Sequence, residues 1–135
     1  MTLNSPGILA VALVTVLALV LYFWVSNSVG SARGKYNIAA PAMTGHPDFE
    51  RAVRVQANTL EHLVPFLAAL WLAAWFFQPL VAGALGVLWL IGRIIYAIAY
   101  RRDPAKRGLG YGIGYAATVM LLLAALLGIV QRFMV

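Results

Sequence analysis

This sequence of 135 residues has no cysteine, and only 10% of its side chains are charged. The missing thiols exclude disulfides and thiolate metal sites, and we expect no metal site. Acidic side chains are scarce as well: four Asp and Glu stand against ten Lys and Arg, which leaves a net charge of +6. In a soluble protein this excess would suggest a nucleic acid as the partner. Here the basic residues stand between long apolar runs, so orientation in a membrane explains them better, and no nucleic acid is expected.

Apolar side chains supply 63% of the sequence, which is more than a soluble fold of this size can hide from water. Four runs approach the roughly 20 residues that cross a bilayer core; they lie at about 7–25, 50–77, 80–100 and 109–130. The first run is not preceded by Lys or Arg, which argues against a signal peptide. The sequence therefore predicts an all-α membrane protein, a bundle of four transmembrane helices in a single domain over 1–135.

The basic residues indicate how the chain is oriented. Nearly all of them follow the first run or lie in the loop 101–108 after the third run, whereas the turn at Gln78–Pro79 has none. Basic loops of membrane proteins face the cytoplasm. We therefore expect a multi-pass protein of a bacterial inner membrane or the endoplasmic reticulum, with both basic loops cytoplasmic and both termini on the opposite side.

Several polar side chains inside the second and third runs do not suit lipid. They recur at helical spacing, so that each set shares one helix face. The sets are Arg51, Arg54, Asn58 and Glu61 on the second run, and Arg93, Tyr96 and Tyr100 on the third. Because a charge at the bilayer centre costs about 2.5–3.5 kcal/mol, we expect both sets to face each other or a water-filled pocket. Glu61 has Arg54 and Arg93 as natural partners, and the remaining positive charge suits an anion.

A structural interpretation exists for each of these residues taken singly. Intramembrane polar side chains also join helices, which accounts for Gln56 or Asn58 without a ligand. A tyrosine near a helix end often anchors the helix at the membrane interface. His62 fits equally well as a helix contact or as a proton carrier. Arg54, Glu61 and Arg93 together, on two helices, favour a binding site.

The segment FERAVRVQANTLEH at 49–62 resembles the membrane-associated proteins in eicosanoid and glutathione metabolism. This family includes the microsomal glutathione transferases, leukotriene C4 synthase and the five-lipoxygenase-activating protein. The resemblance continues without gaps from Ser31-Ala32-Arg33 through Gly92-Arg93 to Arg107. It therefore covers most of the chain, while the first and last apolar runs match in character only.

The resemblance implies a homotrimer that binds glutathione between neighbouring protomers, near the cytosolic membrane face. The positions that match its contacts on one protomer are Arg54, Asn58, Glu61, Arg93, Tyr96 and Tyr100. Arg33 and Gln56 match positions of the adjacent subunit, and Arg107 matches the arginine that activates the thiol. His62 stands where the leukotriene synthases carry a tyrosine and is assigned to the same ligand. Asp103-Pro104 also departs from the family and is expected to affect the direction of Arg107.

Glutathione suits this set of side chains, because it carries two carboxylates and one ammonium group. Its thiol has a pKa near that of free cysteine, about 8.5, and a nearby guanidinium favours the nucleophilic thiolate. The resemblance thus implies a membrane-bound glutathione S-transferase for hydrophobic electrophiles from the lipid, with lipid hydroperoxide reduction as a second reaction. Two alternatives stay open: a non-catalytic lipid-binding scaffold of the same family, and an anion pathway lined by Arg54 and Arg93.

Overall fold

The computed structural model describes residues 4–134, which form helices and their connections. The four long helices are α1 (Pro6–Tyr36), α2 (Pro47–Phe76), α3 (Pro79–Arg102) and α4 (Gly108–Phe133), and a short 3₁₀ helix at Pro104–Arg107 precedes α4. Each of the four helical segments is long and apolar enough to cross a membrane. The predicted all-helical fold with four membrane-length helices is confirmed.

Helix α1 is much longer than the apolar run that predicts it. The segment that follows Val25, expected to be a polar connection, continues as helix to Tyr36. Asn37 ends the helix in the left-handed conformation, with φ 53°. Hydropathy marks where apolar side chains stop, whereas a helix continues through polar residues until its backbone turns away. The extension carries Ser28 and Lys35 beyond the apolar run on the same helix.

Proline and a side-chain cap start each of the first three helices. A proline at the first helical position costs no hydrogen bond, because its missing N–H would lack a helical partner there. The preceding residue accepts a bond from a free N–H of the first turn. The pairs are Ser5 with Ile8, His46 with Asp48, and Gln78 with Val81. Pro65 lies inside α2 without ending the helix.

Short connections make consecutive helices antiparallel. The end of α1, the start of α2, the end of α3 and the start of α4 therefore meet at one end of the bundle. Arg51 Nη1 donates to the carbonyl oxygen of Arg101 at 3.4 Å, and Arg101 Nη1 donates to Ser28 Oγ at 3.2 Å. We call this the basic end, and its cationic side chains are Arg33, Lys35, Arg51, Arg54, Arg101, Arg102, Lys106 and Arg107.

The core consists of small and branched apolar side chains with one large aromatic pair. Helix α1 faces it with residues at alternating spacings of three and four, such as Val11, Val14 and Ala18. The Phe66 ring of α2 stacks on the buried Trp89 of α3, with 3.9 Å between ring centroids. This pair fills the centre of the bundle below the basic end.

Glycines bring α3 and α4 close together. A methyl group added at Gly92 would lie 2.6 Å from the backbone nitrogen of Gly114. One added at Gly110 would meet the backbone of Tyr96 and would lie 2.6 Å from the carbonyl oxygen of Gly92. Small residues at such spacing allow helix backbones to approach each other in membranes. Because Tyr96 lies at this contact, the two glycines also determine the position of its side chain in the bundle.

Gly110→Ala is expected to lower the free energy of unfolding by about 2 kcal/mol, since its methyl group would meet backbone atoms that cannot rotate away. Gly112 lies two residues further along α4 with open space around it, so Gly112→Ala should change stability by less than about 0.5 kcal/mol. Unfolding of both variants in mixed micelles measures the difference. Equal stability of the two would contradict the proposed close contact.

Candidate functional site

A polar cavity of about 270 Å³ lies at the basic end, between α2, α3 and the start of α4. The side chains that line it are Arg54, Asn58, Tyr96, Tyr100, Arg107 and Tyr111. They offer two guanidinium groups, one amide and three phenol hydroxyls. Within the part of the chain that the structure describes, the lining includes no carboxylate. Such a set of donors favours an anionic guest.

Glu61 stands beside the cavity as the partner of Arg54. Its Oε1 atom lies 3.6 Å from Arg54 Nη1, and the two side chains are 57% and 53% exposed. The predicted pairing of Arg54 with Glu61 is therefore confirmed. Because the pair is exposed, each group remains free to contact a ligand, and the ion pair itself adds little to stability.

Arg93 is buried behind the cavity, with 1% of its surface exposed. Its Nη2 atom donates to Asn58 Oδ1 at 3.0 Å and to Thr59 Oγ1 at 2.9 Å. The guanidinium carbon lies 4.2 Å from the centre of the Tyr96 ring, a cation–π contact. The predicted pairing of Arg93 with Glu61 is wrong, because Glu61 projects from the exposed side of α2. Arg93 instead fixes the orientation of Asn58, which does line the cavity.

The same arrangement argues against an anion pathway. Such a pathway needs Arg54 and Arg93 along one water-filled passage. Arg54 lines the cavity and is exposed, whereas Arg93 lies in the packed interior and already contacts two acceptors. Among the residues that the structure describes, the two arginines lie at different depths, and the cavity that Arg54 lines does not include Arg93.

The turn before α4 directs Arg107 towards the cavity. Asp103 Oδ1 accepts a hydrogen bond from the Ala105 N–H at 3.0 Å and starts the 3₁₀ helix. Arg107 Nη1 donates to the Pro104 carbonyl oxygen at 3.0 Å, and its guanidinium lies 6.0 Å from the centre of the Tyr100 ring. The departure at Asp103-Pro104 therefore leaves Arg107 in the cavity wall.

Arg33 and Gln56 lie away from this cavity. Arg33 Nη1 donates to the Ala42 carbonyl oxygen at 2.6 Å and so holds the connection between α1 and α2. Gln56 Nε2 donates to Ser26 Oγ of α1 at 3.4 Å. Arg33 belongs to α1, and Gln56 faces α1 from α2, so a single chain does not bring either residue to those that line the cavity.

Three further residues complete the surroundings of the site. His62 lies next to the cavity, with its ring edge-on to Tyr111 at 5.1 Å. Sequence reasoning missed Tyr111, although its place one helical turn after Arg107 was a signal. It also missed Thr59. The signal for this residue is that a buried arginine such as Arg93 needs more than one hydrogen-bond acceptor.

Comparison with known proteins identifies the family of this chain. The profile of the MAPEG family matches residues 11–127. An uncharacterized Synechocystis protein is 46% identical over 121 residues, which cover 90% of this chain and 88% of that protein. Human microsomal glutathione S-transferase 2 and bovine leukotriene C4 synthase are each 35% identical over 123 residues, covering 91% of this chain and 84% and 82% of those proteins. The chain therefore belongs to the MAPEG family and is a multi-pass integral membrane protein.

Proposed function

We propose that this protein is a membrane-bound glutathione S-transferase that binds glutathione in the cavity between α2, α3 and α4. The observation that carries the proposal is the pair of guanidinium groups, Arg54 and Arg107, which face one polar cavity whose lining, among the described residues, includes no carboxylate. Glutathione supplies the two carboxylates that this charge requires. Two relatives support the choice, since one is named a glutathione S-transferase and the other a leukotriene C4 synthase.

Each side chain has a role that follows from its chemistry. Arg54 pairs with a carboxylate of glutathione, and Asn58 bonds an amide. Glu61, exposed next to Arg54, accepts hydrogen bonds from the ammonium group. Tyr96 and Tyr100 donate hydroxyl hydrogens, and His62 stands at the edge of the same ligand. Arg93 is a positioning residue that acts through Asn58.

A homotrimer explains why the matched residues fall into two groups. Arg54 and Gln56 are two positions apart on α2, so their side chains project about 200° apart around the helix. One protomer cannot aim both at one ligand. The cavity of about 270 Å³ is also smaller than the roughly 300–1,000 Å³ typical of ligand sites. We assign Arg33 and Gln56 to the glutathione bound by a neighbouring protomer.

The proposed reaction begins with loss of the thiol proton. Arg107 stabilises the thiolate, and lowering the thiol pKa by one unit requires about 1.4 kcal/mol. The thiolate attacks an electrophilic carbon, a sulfur–carbon bond forms, and the leaving group departs with its electron pair. A lipid hydroperoxide is the second type of substrate: two glutathione molecules reduce it to an alcohol and water and are oxidised to the disulfide. The basic end faces the cytoplasm, both termini lie opposite, and the apolar substrate enters from the bilayer.

The function is tested with the purified protein in detergent, glutathione and a chlorodinitrobenzene electrophile. Thioether formation, followed by absorbance, should saturate with glutathione and be abolished in Arg54→Ala with Asn58→Ala. A cumene hydroperoxide assay tests the second reaction. A folded sample that shows neither reaction and binds no glutathione would reject the enzyme and favour the lipid-binding scaffold.

A further inference from the structure

A groove between α1 and α3 lies apart from the glutathione cavity. Its apolar part has a volume of about 440 Å³. Its lining includes Leu17, Val20 and Trp24 of α1 and Leu90, Ile94 and Ile98 of α3. At the basic end there is a polar cavity of about 320 Å³ between the same two helices and the start of α2. Its lining includes Ser28, Ser31, Lys35, Tyr36, Asp48 and Arg101.

The apolar and polar parts follow one another along the same faces of α1 and α3. On α1 the lining residues follow one another at spacings of four and three, from Leu17 through Trp24 and Ser28 to Lys35. This periodicity keeps them on a single helix face. On α3 the same face ends at Arg101. Its hydrogen bond to Ser28, at 3.2 Å, joins the two helices where the groove changes from apolar to polar.

Charge at the polar part favours an anion. Lys35 and Arg101 both line it, and the serine hydroxyls add neutral donors. The one lining carboxylate, Asp48, already accepts a hydrogen bond from the Tyr36 hydroxyl at 2.9 Å and lies 3.8 Å from Arg51 Nη1. An anionic group bound there would contact the cations of Lys35 and Arg101 at one end of a long apolar surface.

We propose that this groove binds one anionic diacyl phospholipid, with an acyl chain along α1 and α3 and its phosphate between Lys35 and Arg101. The groove is polar at the basic end and apolar further along α1 and α3, which matches the headgroup and the acyl chain of a phospholipid. Juxtamembrane Lys and Arg are known to attract anionic headgroups. The proposal rests on the membrane location and not on glutathione binding, so it stands independently of the enzymatic function.

Native mass spectrometry of the detergent-solubilised protein tests the preference. The probes are palmitoyl-oleoyl phosphatidylglycerol and phosphatidylcholine, which share their chains and differ in net charge. The wild type should bind phosphatidylglycerol preferentially, and Arg101→Ala and Lys35→Ala should each weaken this binding about fivefold. Arg101→Lys should keep it. Thermal unfolding of each variant establishes that the protein remains folded.

Arg102→Ala is the matched control, because it removes the same charge from the next residue, which does not line this groove. It should change phosphatidylglycerol affinity less than about twofold. An equal loss in Arg101→Ala and Arg102→Ala would overturn the proposal in favour of unspecific surface charge. Competition by glycerol phosphate as strong as that by the intact lipid would overturn the acyl-chain part.

The apolar part is tested separately, and the absence of native cysteine makes this simple. A spin label on Val20→Cys should be broadened by phosphatidylglycerol that carries a nitroxide on its acyl chain, and Ile94→Trp should reduce this broadening by filling the groove. If Val20→Cys instead forms disulfide-linked dimers in membranes, a second copy of the chain covers the groove and the lipid proposal is wrong.

Discussion

Arg107→Ala is expected to reduce kcat for glutathione conjugation by about a hundredfold or more, while the Kd for glutathione changes less than about threefold. The guanidinium lies in the cavity wall, and in the proposed mechanism it stabilises a charge that develops only when the thiol ionises. Arg54 and Asn58 remain in place to hold the rest of the ligand. Stopped-flow turnover and calorimetric titration of the same sample separate the two quantities. Arg107→Lys should recover much of the rate, because it retains the charge.

Lys106→Ala is the control for Arg107→Ala. Lys106 is the preceding residue of the same 3₁₀ helix and does not line the polar cavity between α2, α3 and α4. Its removal should change kcat less than about twofold, in line with a surface charge. Full activity in Arg107→Ala, or an equal loss in both variants, would show that Arg107 does not activate the thiol.

Arg93→Ala is expected to lower the free energy of unfolding by about 3 kcal/mol. The substitution leaves the acceptors of Asn58 and Thr59 without their buried donor and empties the space beside Tyr96. Glutathione affinity should fall as well, since Asn58 loses the contact that orients it. Unfolding in mixed micelles and calorimetric titration below the unfolding midpoint measure the two effects.

Arg132→Ala provides the comparison for Arg93→Ala. Arg132 is exposed at the opposite end of the bundle, where its Nη2 atom donates to the Trp75 carbonyl oxygen at 2.9 Å. Its loss should cost less than about 1 kcal/mol and leave glutathione affinity unchanged. If Arg93→Ala is no less stable than Arg132→Ala, the buried contacts of Arg93 contribute nothing to the fold.

The helices could be predicted from the sequence because lipid imposes a simple pattern on it. An apolar run long enough to cross the bilayer must be helical, since its backbone groups have no other partners there. The same rule gives no information once the chain leaves the lipid, so hydropathy predicts an end of α1 near Val25, whereas the helix continues to Tyr36. The close approach of α3 and α4 at Gly92 and Gly110 was also beyond the sequence, because it depends on how two helices pair.

Helical periodicity predicts part of the cavity lining. Spacing alone aligned Arg54 with Asn58, and Tyr96 with Tyr100, and the structure brings all four together. Charge alone paired Arg93 with Glu61 incorrectly, because formal charge does not indicate which side of a helix faces the interior.

Some residues of the site needed information beyond this pattern. Only the resemblance predicts a place for Arg107 in the site, since nothing in its spacing indicates that the 3₁₀ helix turns it towards the cavity. The roles of Arg33 and Gln56 stay predictions that depend on the proposed homotrimer, because the glutathione they would contact is bound by a neighbouring protomer.

Titration of the glutathione thiol in the presence of the protein tests the central claim most directly, namely that the cationic cavity binds glutathione and stabilises its thiolate. Ultraviolet difference absorbance reports the thiolate as pH rises. Wild-type protein should bind glutathione and shift the thiol pKa below its free value of about 8.5, whereas Arg107→Ala should bind it without that shift. A folded wild-type protein that binds no glutathione, or binds it with an unshifted thiol pKa, would contradict the account.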